Sequence, residues 1–112
     1  MKRFGWIGQL KPEMVRKYTD LHADAWPAVL RRIKDCRLGN YSIFHKELPD
    51  GTHLLFSYVE YTGDDFEADM RRMAADPETQ RWWAECKPCF EPVEDLPPGE
   101  VWATMESVFY QE

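Results

Sequence analysis

The chain has 112 residues, the usual size of one domain, so we expect a single domain spanning residues 1–112. It carries 14 Lys and Arg against 20 Asp and Glu, a net charge of −6, which argues against nucleic-acid binding because neutralising phosphates requires a clustered basic face. No stretch is long and apolar enough to span a membrane and no signal segment opens the chain, which predicts a soluble, cytoplasmic protein.

The first third of the chain predicts a strand and then an interrupted helix. Residues 3–10 have the pattern of a strand, and apolar residues after Pro12 recur with the helical period to about Cys36. Pro27 falls inside this run, where it cannot donate the helical hydrogen bond and its ring clashes with the preceding turn. We therefore expect a break or kink beside Trp26.

The middle of the chain predicts a hairpin followed by two helices. Residues 40–47 and 52–61 are rich in β-branched and aromatic residues and flank the turn sequence Pro49-Asp50-Gly51. Residues 64–75 have the period of a short amphipathic helix. Asp76-Pro77 has the composition of the start of a second helix, because aspartate caps a helix and proline is tolerated in its first turn.

The end of the chain predicts a long connection and a final strand. Residues 87–100 contain four prolines, and residues 101–111 have strand character. The resulting order, β-α-β-β-α-β, is that of an α+β, ferredoxin-like fold, with an antiparallel sheet and helices on one face. Because the other face of such a sheet carries large side chains, we expect a homodimer that covers it.

Three cysteines, Cys36, Cys86 and Cys89, cannot all pair with one another. Cys86 and Cys89 form a C-x-x-C motif, but it follows a helical segment, whereas a thioredoxin-like site opens one. A zinc site would also require a histidine ligand and lacks a second close pair of ligands. We expect free structural thiols, as in a reducing compartment.

Tyr18 and His22 are four residues apart and so share one helix face. An imidazole, with an ordinary pKa of about 6.5, can exchange protons beside a phenol near neutral pH. The alternative is a structural histidine that bonds to a backbone carbonyl. Tyr41 shares a strand face with Ile43 and His45 and either presents its hydroxyl to a ligand or serves only as a strand residue.

Trp82 and Trp83 point about 100° apart on a helix, which favours one indole in the core and the other on a pocket wall. The alternative is two core tryptophans, which would be crowded. Aromatic residues make up 14% of the chain, and indoles suit a pyranose because they combine a flat apolar face with an N–H donor. His45 and His53 flank the hairpin turn and are expected to be solvated. The sequence has no phosphate loop, metal cluster or dinucleotide fingerprint, so an enzyme of this sequence would transfer protons without a cofactor or metal.

Four motifs, in this order and spacing, resemble the L-rhamnose mutarotases over nearly the whole chain. They are Tyr18-x-x-x-His22-x-x-x-Trp26-Pro27, Asn40-Tyr41-Ser42-Ile43-Phe44, Asp76 followed by Gln80-Arg81-Trp82-Trp83, and Val108-Phe109-Tyr110. The resemblance implies a dimeric α/β barrel of ferredoxin-like subunits. It also implies an isomerase without cofactor or metal that interconverts the α and β anomers of L-rhamnose or a related 6-deoxy aldopyranose.

The resemblance also implies roles for individual residues. The family's histidine matches His22, as the acid that protonates the sugar, and its sugar-contacting residues match Tyr18, Tyr41, Trp82 and Trp83. The sequence of residues 64–75 and the Pro88-Cys89 pair indicate a distinct branch, for which L-fucose is a second candidate substrate.

Two other function classes suit the same fold. A haem-degrading or cofactor-free monooxygenase would bind iron through His22 or His45, and haem titration would give an absorption band. A non-catalytic sugar-binding module would show sugar-dependent tryptophan fluorescence without anomer exchange.

Overall fold

Three long antiparallel strands form the centre of the sheet in the computed structural model, which describes residues 1–112. They are β1 (Lys2–Leu10), β2 (Leu38–Glu47) and β3 (His53–Tyr61). β3 pairs with β1 from Lys2 opposite Tyr61 to Leu10 opposite His53, and with β2 on its other side. Gly51, at a φ of 89°, makes the turn between β2 and β3, so the predicted hairpin is confirmed.

Two short strands complete the sheet along the free edge of β1. β4 (Phe90–Glu91) pairs with Gln9 and Leu10, and β5 (Ala103–Met105) pairs with residues 5–7, which gives the order β2-β3-β1 followed by β4 and β5. The predicted connection over residues 87–100 therefore contains β4. The predicted final strand over residues 101–111 is wrong beyond Met105: Val108 and Phe109 are 87% and 78% exposed, so no layer covers the strand-like end of that run.

The helices lie where the helical period predicts them. α1 (Val15–Ala23) and α2 (Pro27–Asp35) are separate helices, which confirms the break beside Trp26, since Pro27 occupies the first position of α2. α3 (Phe66–Ala74) and α4 (Pro77–Cys86) begin at capping aspartates. Asp76 accepts hydrogen bonds from both the backbone N–H and the hydroxyl of Thr79, each at 2.9 Å, which fixes the start of α4.

All four helices cover one face of the sheet, as predicted, and the buried side chains form two clusters between the layers. The first core cluster consists of Leu10, Tyr18, Val29, Leu55, Trp82, Cys86, Cys89 and Phe90. The second core cluster consists of Cys36, Leu38, Val59, Tyr61 and Met73. On the opposite face Phe44 is 66% exposed, and Phe56 beside it is 36% exposed.

The three cysteines are free and buried, as expected from their number and spacing. Cys86 ends α4 and Cys89 lies in the 3-10 turn that follows, so neither thiol is placed at a helix N-terminus. Burial raises the pKa of Cys86 to about 12, which keeps this thiol protonated and unreactive. None of the helices, of which α4 with ten residues is the longest, could cross a lipid bilayer.

Candidate functional site

Tyr18 and His22 stack against each other on the face of α1 that points towards the sheet. Their ring centroids are 4.1 Å apart and the planes differ by 29°. Nδ1 of His22 lies 2.8 Å from the backbone carbonyl oxygen of Tyr18. Because a carbonyl oxygen only accepts hydrogen bonds, Nδ1 must carry the proton, and Nε2 of the neutral ring has a free lone pair.

Burial lowers the pKa of His22 below its ordinary 6.5, and the hydrogen bond to the Tyr18 carbonyl opposes this only in part. The ring is half-buried, so solvent or a small ligand still reaches it. A histidine with a lowered pKa is neutral near pH 7, and the fixed tautomer then makes Nε2 a proton acceptor. The structural interpretation, a histidine that bonds to a backbone carbonyl, is therefore confirmed for one nitrogen. The other nitrogen is left available, and its role in proton exchange stays a prediction.

Tyr18 is buried between α1 and the sheet. The residue is 4% exposed, and burial raises the pKa of its hydroxyl, with the neighbouring Tyr41, Cys86 and Cys89 adding to the rise. The hydroxyl has no hydrogen-bond partner among these side chains. Tyr18 thus contacts His22 through its ring and approaches Tyr41 through its oxygen, which joins the helix and strand residues in one site.

An irregularity in β2 directs Tyr41 to the helix-covered side of the sheet. The pairing of β2 with β3 shifts between Gly39 and Ser42, and Asn40 there has a φ of 45°. The Tyr41 ring meets Trp6 edge-on at 6.3 Å. Although the residue is 37% exposed, its hydroxyl points inwards beside Ser57, and burial raises its pKa.

The two consecutive tryptophans of α4 have different surroundings, as their spacing predicts. Trp82 is 7% exposed and lies edge-on to His22, with ring centroids 5.0 Å apart, and to Trp26 at 5.2 Å. Trp83 is half-buried and packs between the two core clusters, with the Lys87 ammonium 4.7 Å above its ring. Trp82 therefore contacts His22 directly, whereas Trp83 contacts other parts of the core and Lys87.

A wide surface depression adjoins this second tryptophan. It has a volume of about 520 Å³, and its lining consists of Gln80, Trp83, Ala84, Lys87 and Pro88. None of these groups is positioned beside His22 as a proton donor or acceptor. The candidate site therefore consists of Tyr18, His22, Tyr41 and Trp82.

The two hairpin histidines are not simply solvated. Nε2 of His45 lies 3.0 Å from Nδ1 of His53, and the rings stack at 5.2 Å, so each histidine is a partner of the other. No three His, Cys, Asp or Glu side chains are grouped as ligands for a metal ion.

Two residues of the site are missing from the sequence-based set. Trp6 contacts Tyr41, and Ser57 is buried opposite Trp6 on the neighbouring strand. A signal for Ser57 exists in the alternation of β3: residues 55, 57, 59 and 61 face the helices, and a hydroxyl stands among Leu55, Val59 and Tyr61. A small polar residue on the buried side of a central strand needs a partner.

The sequence model of the family described as L-rhamnose mutarotase matches residues 3–111 of the chain. The chain belongs to this family. A mutarotase interconverts the anomers of a sugar, so the family is one of carbohydrate isomerases.

Individual members of the L-rhamnose mutarotase family align over almost the full chain. The L-rhamnose mutarotase of Oceanobacillus iheyensis is 31% identical over 112 residues and covers 100% of both chains. That of Bacillus subtilis is 32% identical over 110 residues, 98% of each chain. The crystal structure of an L-rhamnose mutarotase from Formosa agariphila has a TM-score of 0.75 and 24% identity over 100% of both chains, which confirms the fold.

Proposed function

We propose that the protein catalyses the interconversion of the α and β anomers of L-rhamnose, with His22 as the group that transfers the proton. The observation that carries the proposal is the hydrogen bond from Nδ1 of His22 to the Tyr18 carbonyl, 2.8 Å long, beside the wall made by Trp82. It leaves Nε2 as a proton acceptor at the edge of an aromatic site. Membership of the mutarotase family supports the same reaction.

The reaction needs one proton removed and one delivered. In ring opening, Nε2 of His22 takes the proton of the anomeric hydroxyl, the bond from the anomeric carbon to the ring oxygen breaks, and a donor protonates that oxygen. The hydroxyls of Tyr18 and Tyr41 are the donors closest to the histidine, and their raised pKa values keep both protonated at neutral pH. Rotation about the bond between C1 and C2, followed by the reverse steps, closes the other anomer.

Both roles of the histidine arise from this cycle. His22 is the base in opening and, as imidazolium, the acid that returns the proton in closing. The sugar is neither oxidised nor reduced and gains no proton overall, so the imidazole and one tyrosine hydroxyl account for both proton transfers in opening and for their reversal in closing. Each positioned proton-transfer group typically contributes about 10²–10⁴-fold to the rate.

The aromatic surroundings favour a sugar with an apolar side. Trp82, Trp26 and Tyr18 form a wall beside His22 on which the methyl group of a 6-deoxy sugar can lie. L-fucose shares this methyl group with L-rhamnose, and we include it as a second candidate substrate. The ratio of the two exchange rates measures the preference.

We further propose that the protein acts as a cytoplasmic homodimer. The open face of the sheet exposes Phe44 and Phe56, and the chain end adds Val108, Phe109 and Tyr110 to the exposed apolar side chains. A second copy could cover these groups because a two-fold interface uses the same surface on both subunits. Sedimentation equilibrium would give the mass, and a monomer at micromolar concentration would contradict the proposal.

Magnetisation-exchange NMR tests the activity on sugars at equilibrium. We expect catalytic amounts of the protein to accelerate anomer exchange of L-rhamnose, and His22→Ala to lose about 10²–10⁴-fold of that acceleration. His45→Ala, a histidine substitution at an exposed position of β2, is the matched control and should leave the rate unchanged.

Two results would redirect the proposal. Tryptophan fluorescence that responds to L-rhamnose without any anomer exchange would indicate a sugar-binding module. A haem absorption band that disappears in His22→Ala, in a protein inactive on sugars, would indicate the monooxygenase class.

A further inference from the structure

The hydroxyl of Ser57 is the buried side-chain polar atom that has no hydrogen-bond partner in the chain. Ser57 is 3% exposed and lies on the helix-covered side of β3. Burying a hydroxyl without a partner is unfavourable, and native proteins nearly always pair such groups or bind something to them. Alanine would fill this position without that penalty, so the retained hydroxyl calls for a partner from outside the chain.

The backbone around Ser57 cannot supply that partner. β3 is the inner strand between β1 and β2, and Ser57 lies opposite Trp6 on one side and Ile43 on the other. Its main-chain neighbours are therefore engaged in the ladders of the sheet. Trp6 and Ile43 add apolar walls, which leaves the direction of the helices as the open one.

The nearest polar group in that direction is the hydroxyl of Tyr41. Burial raises the pKa of the Tyr41 hydroxyl and the Ser57 side chain is close enough to lower it, yet Ser57 Oγ has no hydrogen bond of normal geometry within the chain. The Tyr41 hydroxyl is in turn a neighbour of the Tyr18 hydroxyl, which also has no side-chain partner. The hydroxyls of Ser57, Tyr41 and Tyr18 thus belong to the same site, and each can both donate and accept a hydrogen bond.

We infer that Ser57 is a sugar-binding residue, whose hydroxyl, together with that of Tyr41, holds one secondary hydroxyl of the pyranose on the sheet side of the site. This inference rests on the proposed mutarotase function. A sugar hydroxyl donates one hydrogen bond and accepts another, so it can bridge the two protein oxygens where they fail to bond directly. Epimers direct that hydroxyl differently, which makes Ser57 a determinant of specificity between 6-deoxy sugars.

A buried hydroxyl is well suited to this discrimination. When a site is built to bond a substrate hydroxyl, an analogue lacking that group leaves the buried protein atom unpaired, and the loss is larger than that of an apolar contact. A water molecule shared only by Ser57 and Tyr41 is the competing explanation. It predicts no dependence of sugar binding on Ser57.

Ser57→Ala and a series of deoxy sugars test the inference together. We expect Ser57→Ala to raise the KM for L-rhamnose by about tenfold while kcat changes by less than about threefold, because the substitution removes binding and leaves proton transfer in place. Its Tm should equal or exceed that of the native protein, since an unpaired buried hydroxyl has been removed. Ser42→Ala, on the opposite face of the neighbouring strand, is the matched control and should change neither quantity.

The deoxy sugars locate the hydroxyl concerned. Among 2-deoxy-, 3-deoxy- and 4-deoxy-L-rhamnose, one should bind native protein and Ser57→Ala equally, because the group that Ser57 holds is absent from it. Ser57→Cys, which replaces the hydroxyl by a slightly larger thiol that is only a weak donor, should give an intermediate KM and guards against a packing defect in the alanine variant.

Each contrary result has a separate meaning. Native acceleration of L-rhamnose exchange with an unchanged KM in both Ser57 variants would overturn the assignment of Ser57 and leave the mutarotase proposal standing. Absence of any acceleration by the native protein, across the whole panel, would overturn the proposed function and this inference with it.

Discussion

Two tyrosines, Tyr18 in the first core cluster and Tyr61 in the second, are buried to a similar extent but differ in the hydrogen bonds that their hydroxyls make. They are 4% and 1% exposed. The Tyr61 hydroxyl donates to Asp69 Oδ2 at 2.5 Å and accepts from the backbone N–H of Asp65 at 3.1 Å. The Tyr18 hydroxyl has the Tyr41 hydroxyl and the thiols of Cys86 and Cys89 as neighbours and no hydrogen-bond partner among them.

The contrast separates a residue that holds the fold from one that is available to a ligand. Tyr61 ties the end of β3 to the start of α3, because its hydroxyl both donates a hydrogen bond and accepts one there. Tyr18 offers the same chemical group at the same depth, but towards His22 and Tyr41. Burial alone therefore does not distinguish site from core in this protein; the hydrogen-bond partner of each buried hydroxyl does.

Of the two buried tyrosines, Tyr18 should give the larger effect on activity when its oxygen is removed. We expect Tyr18→Phe to lower kcat/KM for L-rhamnose by about 10–100-fold, since a hydrogen bond to the sugar is lost. The Tm should change by less than about 3 °C, because the native hydroxyl has no partner within the chain. NMR exchange rates and thermal melts measure the two quantities. A large fall in Tm with intact kinetics would reverse the assignment.

The pH profile tests the role of His22, the residue stacked on Tyr18. Its pKa is lowered by burial, and the neutral form carries the proposed base, so kcat/KM should be level above that pKa and fall by up to about tenfold per pH unit below it. Between the lowered pKa and 6.5 the unfolded chain binds more protons than the folded one, so stability is also lost as the pH falls through this window. In His22→Ala the fall of kcat/KM at acid pH should be absent. An acid limb centred above pH 6.5 would contradict the role.

Removing the oxygen of Tyr61 should affect stability instead. We expect Tyr61→Phe to lower the Tm by about 5–10 °C, because Asp69 and the Asp65 N–H lose their partner. The KM and kcat for L-rhamnose should stay within about twofold of native values at temperatures where the variant is folded. A KM that rises as in Tyr18→Phe would show that the second core cluster also shapes the site.

The outer partner of the Tyr61 network should matter least. Arg72 contacts Asp69 at 2.8 Å but its side chain is 51% exposed, and exposed ion pairs contribute little. Arg72→Ala should therefore lower the Tm by less than about 3 °C. A fall as large as that of Tyr61→Phe would mean that the ion pair, not the phenol, holds Asp69 in place.

Local sequence signals predicted most of the fold because they act over one or two turns of chain. Pro27 separates α1 from α2, Asp76 caps α4, and the turn at Gly51 sets the hairpin. The prediction of the last strand was wrong beyond Met105 for a non-local reason. Residues Val108 to Tyr110 have strand propensity, but propensity measures fit to a half-buried sheet surface, and these three side chains are 50–87% exposed.

The candidate site was predictable where residues repeat at helical spacing and not where strands meet. The spacing of Tyr18 and His22 predicts their stacking, and consecutive tryptophans predict two environments. Ser57 required knowledge of register and of the irregularity that turns Tyr41 inwards. A single sequence shows which strand positions are buried, but not which hydroxyls across the sheet remain without a partner.

The carbonyl that orients His22 belongs to the main chain, so no substitution of the Tyr18 side chain can delete it. The imidazole therefore keeps its orientation when the surrounding walls change. Under the proposed mechanism, an engineer seeking a catalyst for other aldoses could randomise position 57, keep the Tyr18 and Tyr41 hydroxyls as proton donors, and retain the main-chain hydrogen bond that orients His22.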